Sequence, residues 1–565
     1  QWGQKLQPTR LPFGTAIYDS AGPTFKQDSG SWVWKTEWNG TLSDKIYLEA
    51  RVGSFGYYFP TIANSDEQYF WRDSGTLAIA GAHRKWQLDR ERNQATAAMT
   101  YFLDSAGGSH TIKIGGEILR EQSWEGFEQG VGGNIEHVYN NGVSNQVIFR
   151  LPTATATGKL KLGKDGALTS RAALNVGSFF VNDTWNAGRM TVNAGVRFDR
   201  YSGWLPEQQQ IAATVGPASV DARTFAEVDM YTWNLFAPRV GVVYDLAGDG
   251  KTVLKGNYGF YWHNPGAGVA GSANPNTTAK QQTYTWNDVN GDRRWQPGEQ
   301  GNLISQALLG SVSLSPDIKA PYTHEASVWV ERQLADALGM RAGFVYKTED
   351  DLISTSFQPG RPFSAFTMPF SRADVGPDGR AGTADDSVIT MFGIPTAQAG
   401  SSATVVQNVD QYSRYKTFEL SVNKRYSNRW SASIGGAHTW MTDFPNGPQR
   451  TPNDPGVEDT TIWNFKVTGS YDAPYGIRLS PVLRHQSGSN YARTITIPAA
   501  TGLITSAGNT TAYVEPMNSN REDNIWVFDI RAEKTVNFTS RTRARLFFDL
   551  FNITNSHASE TISRA

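Results

Sequence analysis

A twelve-residue acidic segment, Asp288–Glu299 (DVNGDRRWQPGE), has the residue types and spacing of a calcium-binding loop. Side-chain oxygens fall at positions 1, 3, 5 and 12 of such a loop, a spacing that lets one short segment wrap a calcium ion. Position six, normally glycine, is Arg293, and Gly291 stands at position four, so the wrap would differ from an EF-hand. The sequence predicts calcium at Asp288, Asn290, Asp292 and Glu299. The alternative is a polar loop tip with an Asn-Gly turn.

A second acidic segment, Asp374–Asp386 (DVGPDGRAGTADD), carries four carboxylates among turn-forming glycines. Carboxylates on a flexible loop also suit calcium. Solvated Asp-Gly turns are at least as common, so this is the weaker of the two predicted metal sites. Its candidate ligands are Asp374, Asp378, Asp385 and Asp386.

Catalytic chemistry has little support in the chain. The eight histidines show no metal-ligand spacing, and neither a nucleophile elbow nor a phosphate-binding glycine loop occurs. A glycoside hydrolase using two acids, for instance Glu117 and Glu136, is kept as an alternative. We therefore predict a protein that is not an enzyme and requires no cofactor.

The amino-acid composition limits which partners and which kinds of structure are possible. The chain has 52 basic and 53 acidic residues, a net charge of -1, which argues against nucleic acid. It has no cysteine, so disulfides and thiolate sites are excluded. No run of eighteen apolar residues exists, which excludes a transmembrane helix. Aromatic residues make up 12% of the chain, an excess that suits the interfacial girdles of a membrane barrel as well as carbohydrate-binding β-proteins.

Five aromatic residues in or near long polar segments are candidates for stacking on a ligand: Tyr261, Trp262, Trp286, Trp295 and Tyr412. For Tyr261 and Trp262, at the end of a predicted strand, a place in an aromatic girdle is the favoured interpretation.

The elements that must position these groups are strands with alternating apolar and polar residues. In Arg543–Leu550, the apolar Ala544, Leu546, Phe548 and Leu550 alternate with Arg543, Arg545 and Asp549. Thr252–Phe260 repeats the pattern. Because side chains alternate across a strand, each such segment has one apolar and one polar surface.

Short turns and long polar segments separate these strands. Turn residues predict eight tight hairpins, at 41–44, 104–109, 186–189, 247–251, 335–339, 426–429, 472–476 and 537–541. Long polar segments lie at about 206–232, 263–316, 353–411, 441–462 and 487–524. Short turns at one end and long loops at the other indicate an all-β fold, a transmembrane antiparallel β-barrel of at least sixteen strands. A soluble propeller is the alternative, although no fixed repeat supports it.

Several strand motifs resemble those of TonB-dependent outer-membrane receptors of the Oar-like branch. They are Phe180–Trp185 (FVNDTW) with Thr191–Asp199 (TVNAGVRFD), Ala237–Asp245 (APRVGVVYD), Gly248–Gly256 (GDGKTVLKG), Ala320–Glu325 (APYTHE) and Leu546–Asn555 (LFFDLFNITN). Each motif alone is a weak strand pattern, but their order along the chain is specific.

The resemblance implies a bacterial outer-membrane location and a barrel of about 22 strands in the full-length family. It also implies short periplasmic turns, long extracellular loops, and outer-membrane lipid and lipopolysaccharide as surroundings. No plug segment precedes Gln1 and no closing strand ends the chain, so residues 1–565 are interpreted as a partial barrel. The expected function is energy-coupled passage of an unidentified substrate, with TonB acting through a plug not present in this chain. The alternative is a barrel scaffold for adhesion or surface assembly without transport.

Overall fold

The computed structural model describes residues 1–11, 16–18, 20–105, 107–127, 133–154, 170–444, 451–454, 456–497, 502–505, 510–516 and 518–558. Strands dominate. Within the described residues, no helix is long and apolar enough to cross a membrane.

The strands in the first half of the chain are β1 (Trp2–Arg10), β2 (Ile17–Tyr18), β3 (Phe25–Ser43), β4 (Ile46–Ala63), β5 (Tyr69–Asp73), β6 (Ala78–Gly81), β7 (Trp86–Ser105), β8 (Gly108–Phe127), β9 (Ile135–Asn140), β10 (Val143–Arg150), β11 (Ser170–Ala187), β12 (Met190–Leu205), β13 (Gln208–Gln210), β14 (Ala213–Val215), β15 (Ala218–Val220), β16 (Arg223–Phe225), β17 (Val228–Asp245), β18 (Thr252–Trp262), β19 (Gln281–Trp286) and β20 (Gln300–Ala307). A short helix, α1 (Gly268–Ser272), follows β18.

The second half contains β21 (Ser313–Leu314), β22 (Tyr322–Ala335), β23 (Leu338–Asp350), β24 (Ile353–Phe357), β25 (Met368–Asp374), β26 (Ser387–Pro395), β27 (Val405–Asn408), β28 (Ser413–Ser427), β29 (Trp430–Asp443), β30 (Glu458–Ala473), β31 (Ile477–Gln486), β32 (Asn490–Tyr491), β33 (Thr494–Ile497), β34 (Leu503–Ile504), β35 (Thr510–Tyr513), β36 (Asn520–Arg521), β37 (Ile525–Asn537) and β38 (Arg543–Leu550). Three 3-10 turns lie at Phe363–Ala365, Thr396–Gln398 and Pro474–Gly476.

Seventeen of these strands form one antiparallel sheet in which each strand pairs with the next one of the sheet along the chain. Its order is β1, β3, β4, β7, β8, β11, β12, β17, β18, β22, β23, β28, β29, β30, β31, β37 and β38. This meander is the barrel wall, and it confirms the predicted all-β barrel.

The two ends of the wall differ in their connections. All eight predicted tight hairpins are confirmed, joining β3–β4, β7–β8, β11–β12, β17–β18, β22–β23, β28–β29, β30–β31 and β37–β38. The long connections lie at the opposite end. Three connections at that end, following β1, β4 and β8, were not among the predicted long segments. In outer-membrane barrels the short turns face the periplasm and the long loops the exterior, so we call the loop end the mouth.

The two faces of the wall separate apolar from charged residues. In β38, Leu546 and Phe548 are 65% and 64% exposed. On the opposite face, Asp549 accepts from Arg531 at 2.6 Å, a cross-strand pair in register. Charged side chains shield one another on the inner face, whereas apolar ones project from the outer face. The predicted alternation of β38 is confirmed, and contact of Leu546 and Phe548 with lipid stays a prediction.

Aromatic residues collect on the outer face near the mouth. Phe260, Trp262, Tyr322 and His324 form a cluster with ring centroids 4.7–5.5 Å apart. A second cluster contains His438, Trp440, Trp463, Phe465, His485 and Trp526. Rings with one polar edge suit the boundary between lipid and water, so these clusters have the position and composition of an interfacial girdle.

Candidate functional site

One long connection folds inward at the mouth. Residues of the β18–β22 connection, including Ala270 of α1, Ile318 and Ala320, pack on the inner face of the wall. That inner face becomes apolar there, with Leu174, Val176, Tyr201, Trp233 and Leu235 buried in the same cluster. The indole N–H of Trp233 donates to the carbonyl of Ile318 at 2.8 Å. The mouth is therefore partly filled by the chain's own loop.

A separate seven-stranded sheet covers the mouth. It joins β2, β6, β5, β9, β10, β19 and β20, which come from four different connections. Two of its pairings, β2 with β6 and β5 with β9, are parallel. Phe149, Leu151 and Trp286 are buried beneath it together with Ala213 and Ala218 of the β12–β17 connection. We call this sheet and its core the loop layer.

A cavity of about 700 Å³ lies between the loop layer and the rim of the barrel wall. Its walls include four arginines, Arg10, Arg72, Arg84 and Arg150, and aromatic side chains of the strand ends. The volume is in the range of small-molecule sites, and apolar walls with a few polar groups are their usual lining.

Glu136 of β9 is the buried acid of this cavity. Its carboxylate accepts from Arg72 Nε at 2.5 Å and from Arg150 Nε at 2.7 Å. Burial acts to raise the pKa of Glu136, but Arg150 and Arg72 outweigh it and hold the pKa below its usual range. Glu136 is therefore an anion whose charge is balanced by two guanidiniums.

Arg84 lies in the same cavity without such a partner. Its guanidinium stacks 3.6 Å from the centroid of the Phe127 ring, and among the described residues its Nη1 atom has no hydrogen-bond partner. Burial, with a contribution from Arg150, lowers the pKa of Arg84 to about 9.

The predicted calcium loop at Asp288–Glu299 hangs from the loop layer between β19 and β20. Its side chains cap its own backbone: Asp288 accepts from the N–H groups of Gly291 at 2.9 Å and Arg293 at 3.0 Å. Glu299 reaches back to accept from the N–H of Gln296 at 2.9 Å. Arg293 adopts a φ of 61°, so it supplies the left-handed position for which glycine was expected.

The second acidic segment is divided. Asp374 is buried and takes a two-pronged ion pair from Arg493, at 2.6 and 2.5 Å. Hydrogen bonding to Arg493 holds the pKa of Asp374 below its usual range. Asp378, Asp385 and Asp386 instead surround the hydroxyl of Thr383, at 3.4, 2.7 and 3.1 Å. Across the described part of the chain, including both acidic loops, no three His, Asp or Glu side chains form a group that could hold a metal ion.

The stacking candidates have different environments. Trp262 belongs to the outer aromatic cluster, whereas Tyr261 lies on the opposite face with Arg239 4.5 Å from its ring, so the girdle prediction is wrong for Tyr261. Trp286 is buried in the loop-layer core. Trp295 contacts Phe149 edge-on at 4.8 Å, and Tyr412 lies under Arg414 at 4.1 Å.

The two acids named for glycoside hydrolysis lie in separate ion pairs. Glu117 of β8 binds Arg197 in the barrel wall at 2.9 Å, and Glu136 binds arginines of the loop layer. The arginine cavity itself was missed from the sequence, since Arg72, Arg84 and Arg150 match no motif. The available signal was the length of the connections after β4 and β8, which carry all three.

A seventeen-stranded wall with a folded loop layer at one end defines a membrane β-barrel with a covered mouth. The family model of the outer membrane beta barrel domain matches residues 20–478. The chain belongs to this family, and the protein is located in the bacterial outer membrane.

Individual proteins refine this placement. Over 405 residues the chain is 23% identical to the TonB-dependent transporter Oar of Myxococcus xanthus, covering 66% of this chain and 33% of Oar. This match confirms the expected resemblance to the Oar-like branch. The crystal structure of the outer membrane transporter YddB from Escherichia coli shares the fold, with a TM-score of 0.54 at 13% identity, over 95% of this chain and 60% of YddB. The chain thus spans about a third of the length of Oar.

Proposed function

We propose that the protein is a transporter that captures a substrate at the covered mouth and passes it through the barrel with energy coupled through TonB. The observation that carries the proposal is the arginine-lined cavity between the loop layer and the wall, directly above a lumen with charged inner walls. The similarity to Oar and YddB, both described as transporters, supports it. A scaffold for adhesion or assembly would not require such a cavity.

The inward loop offers a direct test. A Cβ built at Gly271 of α1 lies 3.2 Å from the Cβ of Ala172 of β11, close to the 3.5–4.5 Å of disulfides. Because the chain has no cysteine, the pair Gly271→Cys/Ala172→Cys introduces a single possible bridge. Oxidation should lock the loop inside the mouth and stop uptake, and reduction should restore uptake. Each single cysteine variant is the control.

The transported compound is first identified by comparing spent media. A strain lacking the gene and a strain lacking TonB should leave the same compound unconsumed. If the gene deletion instead impairs surface attachment while loss of TonB does not, the adhesion scaffold is correct and transport is rejected. Sequencing the gene upstream of residue 1 for a plug and a TonB-contacting segment provides an independent check.

Sidedness is tested by cysteines at exposed positions of the two ends. Asp249 lies in the β17–β18 turn, and Val289, 76% exposed, lies in the acidic loop. An impermeant thiol reagent should label Val289→Cys on whole cells and leave Asp249→Cys unlabelled until the outer membrane is opened. Equal labelling of both positions on intact cells contradicts the proposed orientation.

We also propose that Asp288, Asn290, Asp292 and Glu299 bind calcium, with Asp374, Asp378, Asp385 and Asp386 as a weaker second set. The spacing of the first set and the left-handed conformation of Arg293 support it, because they meet the turn requirement of a calcium loop. The Arg493 ion pair at Asp374 and the division of the second set count against that site. The ion would stabilise an exposed loop and has no role in a chemical step.

A further inference from the structure

Arg84 is a buried cation whose surroundings do not fulfil all of its hydrogen bonds. The residue is 7% exposed, and Nη1 lacks a partner among the described residues. Leaving a buried charged donor unpaired destabilises the folded state, because the group loses its hydrogen bonds to water and gains none in return. Such a group persists in a folded structure when it has a use, and a guanidinium facing a cavity is suited to receive an anion.

The acidic side chains near Arg84 already bind other partners. Both oxygens of Glu136 are taken by Arg72 and Arg150. Asp73 also lines the cavity, but its carboxylate accepts from four backbone N–H groups of two adjacent turns, those of Gly75, Thr76, Asn141 and Gly142. No carboxylate of the described cavity lining is therefore left for Arg84. Four arginines face two acids, an excess of positive charge.

Arg10 completes the basic side of the cavity. Its Nη1 donates to the neutral amide oxygen of Gln27 at 2.5 Å. Its guanidinium lies 5.0 Å from the ring centroid of Phe59 and 5.6 Å from that of Phe25. A guanidinium stacked on aromatic rings is held in one plane and keeps its remaining N–H groups in a fixed fork, the geometry that matches a carboxylate or phosphate.

The remaining walls are mainly apolar, with Thr61, Ser74 and His83 as further polar residues. Phe25, Phe59, Phe70, Trp86 and Phe127 line the cavity, with Phe59 and Trp86 packed edge-on at 5.7 Å. A cavity of about 700 Å³ with basic and aromatic walls has room for more than an inorganic ion.

We propose that this cavity binds the anionic carboxylate or phosphate group of a ligand whose apolar or aromatic body packs on the phenylalanine walls, and that Arg84 is its principal contact. If the proposed function is correct, this ligand is the transported substrate, and only that identification rests on the proposed function. Binding itself needs neither TonB nor transport, so the two can fail separately.

Titration calorimetry on the detergent-purified chain tests the site with four probes: phenyl phosphate, benzoate, inorganic phosphate and the neutral benzyl alcohol. We expect saturable binding of phenyl phosphate or benzoate, weaker binding of inorganic phosphate, and none of benzyl alcohol. The stronger of the two aromatic anions identifies whether the site prefers phosphate or carboxylate. Absence of saturable binding by both aromatic anions overturns the proposal.

Substitutions of Arg84 assign the binding to this group. Arg84→Met should raise the Kd of the aromatic anion by about tenfold or more, the effect expected from losing a charged hydrogen bond. Arg84→Lys should raise the Kd less. The matched control is Arg341→Met, because Arg341 also stacks on a ring, 3.8 Å from Trp329, but lies outside the cavity. Arg341→Met should leave the Kd unchanged. Equal affinity in Arg84→Met and wild type overturns the proposal.

Stability separates binding from a structural role. Replacing a buried cation by an apolar side chain of similar length is often neutral or stabilising, so Arg84→Met should not lower the melting temperature of the unliganded chain. A measurement on the wild type tests the same site even if the Arg84 variants do not fold. Phenyl phosphate should protect Arg84, and not Arg341, from modification by phenylglyoxal in the wild type, as read by peptide mass spectrometry. Equal protection of both arginines, or of neither, contradicts the site.

Discussion

An exposed ion pair of the barrel wall and the buried ion pairs of the loop layer differ in how far water screens them, although the wall also holds one buried acid, Asp199, paired with Arg197 at 2.8 Å. In the wall, Lys255 and Glu331 pair at 2.8 Å with side chains 35% and 36% exposed. In the loop layer, Glu136 has a side chain only 6% exposed and pairs with two arginines. Water screens the first pair, so the wall does not depend on it. Protein surrounds the second, so the loop layer requires its charges to be matched.

The two regions also differ in how their strands are brought together to pair. In the wall, each strand pairs with the neighbour that a short turn or a single connection delivers. In the loop layer, β5 and β9 pair in parallel although Tyr69 and Ile135 are far apart in the chain. Parallel strands cannot be joined by a tight hairpin, so these pairings depend on residues that the connections bring together from distant parts of the chain. The loop layer should therefore open without loss of the wall.

The largest predicted effect is that of Glu136→Gln. It removes the charge that balances Arg72 and Arg150, and breaking a buried pair from one side costs about 3–5 kcal/mol. Hydrogen exchange should show faster opening of β5, β9 and β10 with the wall unchanged. The control Glu331→Gln in the wall should cost less than about 1 kcal/mol. Equal effects of the two substitutions would remove the distinction between the regions.

The next effect concerns the outer face of the wall. Leu546→Arg should destabilise the barrel by about 2–4 kcal/mol if the residue lies near the membrane midplane, because the new charge faces hydrocarbon. Unfolding in lipid vesicles, followed by the band shift of heated and unheated samples, measures it. The control Phe547→Arg places the same charge on the inner face and should cost clearly less. A larger loss at position 547 would reverse the assignment of the faces.

A pH effect should be confined to the loop layer. Burial lowers the pKa of His137 to about 4, and its Nε2 accepts from the backbone N–H of Trp295 at 2.8 Å. The folded state thus binds the proton less well than the unfolded chain, so stability is complete above about pH 6.5 and falls as the pH drops towards 4. At pH 5 the loss should be about 2 kcal/mol, with Trp295 released from β9.

His137→Gln checks the origin of that effect. Glutamine retains an acceptor for the Trp295 N–H but does not titrate, so exchange of the Trp295 N–H and of β9 should lose its dependence on pH between 6.5 and 5, whereas His83, whose pKa burial also lowers, still titrates in the variant. His110→Gln, in the barrel wall, controls for removal of a histidine. If loop-layer exchange in His137→Gln accelerates in acid as in the wild type, another group is responsible.

The smallest effect is that of calcium. If the Asp288–Glu299 loop binds calcium only when folded, free calcium at ten times Kd stabilises it by about 1.4 kcal/mol. Chelation should then raise protease cleavage between residues 283 and 301 by about tenfold. The variant Asp288→Asn/Asp292→Asn should be cleaved at the chelated rate in either condition. If the chelator leaves the cleavage rate unchanged, the loop is an ordinary polar turn that does not bind calcium.

Sequence alone determined the wall. Alternation in segments such as β38 and turn residues at eight positions set strand, face and hairpin, because each of these depends on residues within a few positions of one another. The same alternation shows that the neighbours Tyr261 and Trp262 cannot share a face, so only one of them could belong to the girdle.

Tertiary structure decided the mouth. No local pattern indicates that Arg72 and Arg150 meet Glu136, that α1 turns inward onto β11, or that Asp374 pairs with Arg493 instead of joining Asp378. The sequence carries only the lengths and polarity of the connections. Which of their charges become buried, and which of these are left unpaired, depends on contacts between segments far apart in the chain that form once the barrel holds their ends together.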